Sequence, residues 1–215
     1  MAVRPIDGRV ERGNQTRRLV LRRTMEIASL EGLEALSLGR LATELKLSKS
    51  GVFALFGSKE ELQLATVRAA SKVYFDHVVQ PALAAPPGLP RMWALCEAWI
   101  AYSSERTFPG GCFFHKVITE FNSRPGPVRD SIRVAHESWR NFVRETLEEA
   151  RRMGDIAPGE DVERLTFEVT ALLEAANAES LLWDSAHPYD QAREAIRCRL
   201  RSITSVEPAF LRAGA

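Results

Sequence analysis

Cysteine is scarce in this 215-residue chain: Cys96, Cys112 and Cys198 are the whole complement. The number is odd, the spacing is wide and no CxxC pair occurs, which argues against a disulfide framework or a zinc site. Long apolar runs are missing as well. Nothing approaches the roughly 18 consecutive apolar residues that a membrane span requires. The N-terminal stretch MAVRPIDGRVERGNQTRR has no apolar core and does not read as a signal peptide. Strict apolar/polar alternation, the mark of half-buried strands, is almost absent. There is no internal repeat and no low-complexity tract. Net charge is only +1, so the chain as a whole calls for no polyelectrolyte partner. What remains is the expectation of a reduced, soluble, cytoplasmic protein with no membrane partner, no metal and no cofactor.

What is present is helical spacing, and 45% hydrophobic residues to fill a core. Helices are expected from Thr16 to about Leu30, over Leu38–Leu45 and Lys49–Phe56, and from Lys59 to about Leu83. The pattern resumes at about 89–106, 112–123, 127–153, 161–183 and 189–203. Breaks at PALAAPPGLPR, TFPGG, RPGP, GDIAPG and SAHP carry the right turn residues. The fold class is therefore all-α, with about nine helices. Charge is distributed unevenly. Residues 1–59 carry eleven Lys/Arg against six Asp/Glu, whereas the remainder carries eighteen against twenty-two. A basic front end suggests an anionic polymer as partner for that part alone.

The stretch LSKSGVFALFGSKEEL at 47–62 is the most informative. An eight-residue helix with Gly51 inside is marginal by itself, since the glycine costs roughly 1 kcal/mol. Together with 37–45 it has helix-turn-helix spacing. Leu38, Leu41, Leu45, Leu47, Val52 and Phe56 can lock the two helices together. Lys49, Ser50, Gly51, Phe53 and Ala54 are then left facing outward, where a DNA major groove approaches a recognition helix. Gly51 would let the backbone come close. Ser37, Ser48 and Ser58 are candidate N-caps, and helix N-termini favour phosphates. Arg17, Arg18, Arg22, Arg23 and Arg40 supply positive charge for phosphate contacts.

These motifs resemble the DNA-binding segment of tetracycline-repressor (TetR) family regulators. The pieces that carry the resemblance are EG at 31–32, LSLGRLATEL at 36–45, LSKSGVFALF at 47–56 and GSKEEL at 57–62. It implies DNA-binding roles for Arg17, Arg18, Ser37, Arg40, Ser48, Lys49, Ser50, Gly51, Phe53 and Lys59, the last matching the family's phosphate-contacting lysine. Three positions depart from the pattern. Lys46 stands where the family has Gly, at a cost of roughly 1–2 kcal/mol if the turn is left-handed. Phe53 replaces a Tyr and loses its hydroxyl. Leu55 replaces a His. The domains expected are a flexible basic arm (1–15), a helix-turn-helix domain (16–62), a ligand-binding and dimerisation domain (63–205) and a tail (206–215).

Beyond residue 62 the resemblance weakens. The family binds an apolar or amphipathic small molecule among its C-terminal helices, and ligand binding loosens the grip on DNA. Aromatic residues cluster in that part of this chain, with few polar groups between them. Candidate ligand contacts are Trp99, Tyr102, Phe113, Phe114, Val117, Glu120, Trp139 and Phe142, with His115 and His136 as further polar candidates. Adjacent Phe113 and Phe114 point about 100° apart on a helix, so one packing interface rarely absorbs both. The family also dimerises through its last two helices. Here that implies Leu165, Val169, Leu173, Ala176, Leu181, Ile196 and Leu200 at a homodimer interface. Two other readings stay open: an all-α enzyme using Cys112 and His115, which lie one turn apart, or a helical adaptor.

Overall fold

The computed structural model describes residues 8–204 together with Pro208 and Leu211. Among these it contains nine helices and no strand. The helices are α1 (Gly8–Glu31), α2 (Leu38–Glu44), α3 (Lys49–Phe56), α4 (Lys59–Tyr74), α5 (Leu89–Ser104), α6 (Phe113–Phe121), α7 (Pro127–Arg152), α8 (Val162–Leu182) and α9 (His187–Ile203). Beyond Tyr74, α4 runs through a π-helical turn (Phe75–Val79) into a last α-turn (Gln80–Leu83).

The serines cap as their spacing indicates. Ser37, Ser48 and Ser58 each accept a hydrogen bond from the N–H three residues on, of Arg40 (3.1 Å), Gly51 (3.0 Å) and Glu61 (3.1 Å). These bonds satisfy N–H groups that have no partner within the helix. A Cβ on Gly51 would come 2.8 Å from the Ser48 hydroxyl, so the glycine protects the cap of its own helix. Buried Val20, Ile27 and Ala28 of α1 join Leu36, Leu41, Val52, Phe56 and Leu62 in the core that fixes α2 and α3.

Lys46 has a φ of 54°, so a lysine holds the left-handed turn position where glycine carries no Cβ penalty. Lys46→Gly is expected to raise stability by about 1 kcal/mol, or roughly 2–4 °C in thermal unfolding. An unchanged or lowered midpoint would show that the turn carries no such strain.

The N-terminal arm needs correction. Gly8–Gln15 are the first turns of α1 and not a flexible segment. Arg, Glu and Gln in GRVERGNQ are good helix formers, and extending a nucleated helix is favourable. Residues 1–7 of the expected arm lie outside the described residues. So does most of the 206–215 tail, although Leu211 is fully buried. The π-turn was not legible as such. Pro81 lacks the N–H that an unbroken α-helix would send back to His77, and the widened turn lies just before it.

A buried polar cluster ties the body together. The Asn177 side-chain oxygen accepts from the Ser103 hydroxyl (2.8 Å) and from the Cys112 N–H (2.9 Å). Tyr189 lies 2.8 Å from Ser103 and 2.9 Å from Ser180. The helices α5, α8 and α9 and the start of α6 meet there.

Candidate functional site

Two surfaces stand out, one at each end of α4. The first is the outer face of α3. Lys49, Ser50, Gly51, Phe53 and Ala54 are all exposed, while Val52 and Phe56 face the core. Lys49, Ser50, Phe53 and Ala54 border a shallow open depression with Leu38 and Gly39 of α2. The side chains of Arg18, Arg22, Lys46 and Lys49 have no hydrogen-bond or ion-pair partner among the described residues.

Other cations expected to meet DNA are already engaged. Arg17 donates to the Leu55 carbonyl (2.7 Å) and lies over the Phe56 ring at 4.6 Å. It thus satisfies a carbonyl at the negative end of α3. Arg40 is held by both carboxylate oxygens of Glu31 and by Glu44, each at 2.7 Å. Arg23 bridges Glu44 (2.7 Å) and Glu26 (3.0 Å). This network holds Glu31 and Glu44 below the usual carboxylate range through hydrogen bonds from the guanidinium groups. Lys59 donates to the Glu34 carbonyl (2.7 Å) and carboxylate (2.9 Å). Spacing indicated where these cations stand. It did not show the carboxylates that reach them from other helices.

The second surface is a cavity of about 530 Å³ among α4, α5, α6, α7 and α8. Trp99, Phe114, Trp139 and Phe142 line it, as do His115 and His136. The other proposed contacts do not. Tyr102, Phe113 and Val117 are buried in the core behind it. Phe113 packs against Phe108 and Phe114, with ring centres 5.9 and 5.3 Å away. Glu120 points elsewhere: its two carboxylate oxygens accept from the N–H groups of Leu33 (2.7 Å) and Glu34 (3.0 Å) in the α1–α2 loop.

Sequence reasoning missed the α4 wall of the cavity, made by Val67, Arg68, Ser71, Tyr74, Phe75 and Val79. Tyr74 is its hub, with the rings of Trp139, Tyr102 and Phe114 edge-on at 5.4, 5.4 and 5.8 Å. Also missed was Glu174, an acid in the apolar run TALLEAANA. That interruption was the available signal.

Cys112 also lines the cavity, but burial pushes its thiol up to about 11. It stays protonated at neutral pH and is a poor nucleophile. Burial lowers the His115 and His136 pKa values, so both imidazoles are neutral near pH 7.

The expected dimer residues need correction too. Leu165, Val169, Leu173, Ala176, Ile196 and Leu200 are buried inside the single chain, where α8 packs on α7 and α9. Leu181 alone of the set is exposed. The outward face of this hairpin carries Phe167, Ala175, Ala178 and Leu182 on α8, and Ala195 and Cys198 on α9. Phe167 is 60% exposed, Leu182 74% and the adjoining Trp183 69%, which is unusual for large apolar side chains.

A helix-turn-helix head with an outward recognition helix, joined through one long helix to an all-α body with an apolar cavity, defines a class of DNA-binding transcriptional regulators. Residues 20–66 match the model of bacterial regulatory proteins of the tetR family, and residues 88–196 match the tetracyclin repressor-like C-terminal domain. The chain belongs to the TetR family. Among similar solved structures is a TetR transcriptional regulator from Chloroflexus aurantiacus, 20% identical, with a TM-score of 0.83 over 90% of this chain and 98% of that one. A putative regulator from Saccharomonospora viridis, solved in complex with choline, is 20% identical, with a TM-score of 0.76 over 90% and 100%. Reduced NemR of E. coli is 17% identical, with a TM-score of 0.74 over 91% and 99%. No curated protein matches the chain.

Proposed function

We propose that this regulator is a cytoplasmic homodimeric repressor, released from a palindromic operator when a small apolar or amphipathic molecule enters the cavity. The observation that carries this reading is the span of α4. Its first turns place Leu62 and Ala65 in the core that holds the recognition helix. Its later turns place Val67, Ser71, Tyr74 and Phe75 on the cavity wall. One rigid element thus borders both surfaces, so a ligand that prefers one setting of α4 biases the presentation of α3. The lining is mainly apolar, as small-molecule sites are, and the S. viridis relative holds a small molecule.

DNA contact falls to Arg18, Lys49, Ser50, Gly51 and Phe53, with the caps at Ser37 and Ser48 orienting N–H groups. Arg17, Arg40 and Lys59 act mainly by holding the head in shape. The test uses fluorescence anisotropy with the DNA upstream of the protein's own gene, over a range of salt. Lys49→Ala is expected to weaken binding several-fold and to shallow the log–log salt slope by about one. Arg40→Ala should instead lower the thermal midpoint. A Lys49 variant with unchanged affinity and slope would refute the proposed DNA-facing surface.

A further inference from the structure

Glu174 is the acidic residue among those lining the cavity. It makes no hydrogen bond or ion pair within 4 Å among the described residues. Arg140, the cation whose charge reaches it, lies 3.8 Å from Glu163 instead. Burial raises the pKa of the Glu174 carboxyl, and its charge is felt by both Tyr74 and Cys112. The carboxyl thus sits in a low-dielectric wall beside the aromatic hub. The other charged or titratable groups facing the cavity do not neutralise it: His115 and His136 are neutral near pH 7, and Arg68 is exposed to solvent.

The cavity that Glu174 lines is also lined by the rings of Tyr74, Phe75, Trp99, Phe114, Trp139 and Phe142. Aromatic faces attract cations, and an unpaired carboxylate in an apolar wall is costly until a cation joins it. An aliphatic or aryl tail has room in the remaining apolar volume.

We propose that the cavity selects amphipathic organic cations, compounds with a quaternary or protonated tertiary amine on an apolar tail, with Glu174 as the counter-charge and Tyr74, Trp99 and Trp139 as the aromatic walls. This rests on the cavity being the effector site, and it names the effector's chemistry. A neutral ligand would leave Glu174 unpaired. An anion would meet it directly, with only Arg68 in compensation.

The test holds the tail constant and varies the head: decyltrimethylammonium, decanol and decyl sulfate, all below their aggregation concentrations. Binding is read by calorimetry and by quenching of tryptophan fluorescence, and DNA release by anisotropy. The cation is expected to bind about tenfold more tightly than decanol, with decyl sulfate weakest. Glu174→Gln, isosteric and uncharged, should abolish that preference while leaving decanol affinity within about twofold. Trp139→Leu, which keeps apolar bulk without a π-face, should lower cation affinity more than decanol affinity. Circular dichroism and thermal unfolding check that both variants fold. An unchanged cation-to-decanol ratio in Glu174→Gln would overturn the proposal. If decanol or decyl sulfate binds best and releases DNA, the cation specificity falls and the effector reading stands. If none of the three binds, both fall together.

Discussion

Glutamate in place of Ala175 is expected to convert the protein to a monomer and to lower operator affinity about 10²–10⁴-fold. Ala175 lies on the exposed face of α8, between Phe167 and Leu182. Three large apolar side chains, Phe167, Leu182 and Trp183, are mostly exposed there. Small Ala175 and Ala178, with Ala195 and Cys198 on α9, leave room for a second pair of helices to approach closely. A carboxylate in the middle of that face must either be buried unpaired or keep the subunits apart. The DNA effect follows from linkage. Two tethered recognition helices engage two half-sites about 34 Å apart, and separating them forfeits the effective concentration of the second. Size exclusion with light scattering gives the mass, and anisotropy gives the affinity. Leu173→Glu is the contrasting variant. Leu173 is only 1% exposed within one chain, so that charge should unfold the protein and not merely divide it. A folded Ala175→Glu protein that remains dimeric would place the subunit contact on another face.

The sequence stated the helices and their caps clearly because those signals are local. Ser37, Ser48 and Ser58 each sit at a helix start and bond three residues ahead. The outward set on α3 was legible for the same reason, since eight residues offer only one way to bury Val52 and Phe56 together. What spacing did not show are partners on other elements. Arg40 and Arg17, read as DNA contacts, have Glu31 and the Leu55 carbonyl opposite them. On α8, apolar residues occupy several faces. The period alone could not say which face its own chain covers, and the face with Leu165, Val169 and Leu173 proved internal. Phe113 and Phe114 did divide between two environments, one ring in the core and one on the cavity.

The second large effect is expected at Glu120, which belongs to neither surface. Its helix, α6, sends Phe114, His115 and Ile118 into the cavity wall. One turn later Glu120 grips the α1–α2 loop through the N–H groups of Leu33 and Glu34. From the other side, Gln63 of α4 donates to the Leu33 carbonyl (3.0 Å) and Lys59 holds Glu34. The loop that enters the helix-turn-helix is therefore clamped by two of the helices that border the cavity, α4 and α6. Gly32 has a φ of 90° and lies against the Glu120 carboxylate, leaving no room for a Cβ. The break at 109–112 that precedes α6 is not a loose hinge. Gly110 packs on the Ser29 backbone and donates to the Ser29 hydroxyl (3.1 Å), and Cys112 is held by Asn177. A displacement of α6 is therefore expected to pass to the loop through Glu120 and not to be absorbed at the break. Glu120→Ala removes two carboxylate–amide bonds and is expected to cost about 1–3 kcal/mol of stability. Lys59 and Gln63 keep the loop in place, so affinity for DNA without ligand should change little. Ligand-induced release should collapse from the usual 5–150-fold coupling to within about threefold. The measurement is a pair of operator titrations, with and without whichever decyl compound binds, alongside tryptophan quenching to show that the cavity still fills. Full release from a Glu120→Ala protein with an occupied cavity would mean that α4 alone carries the signal.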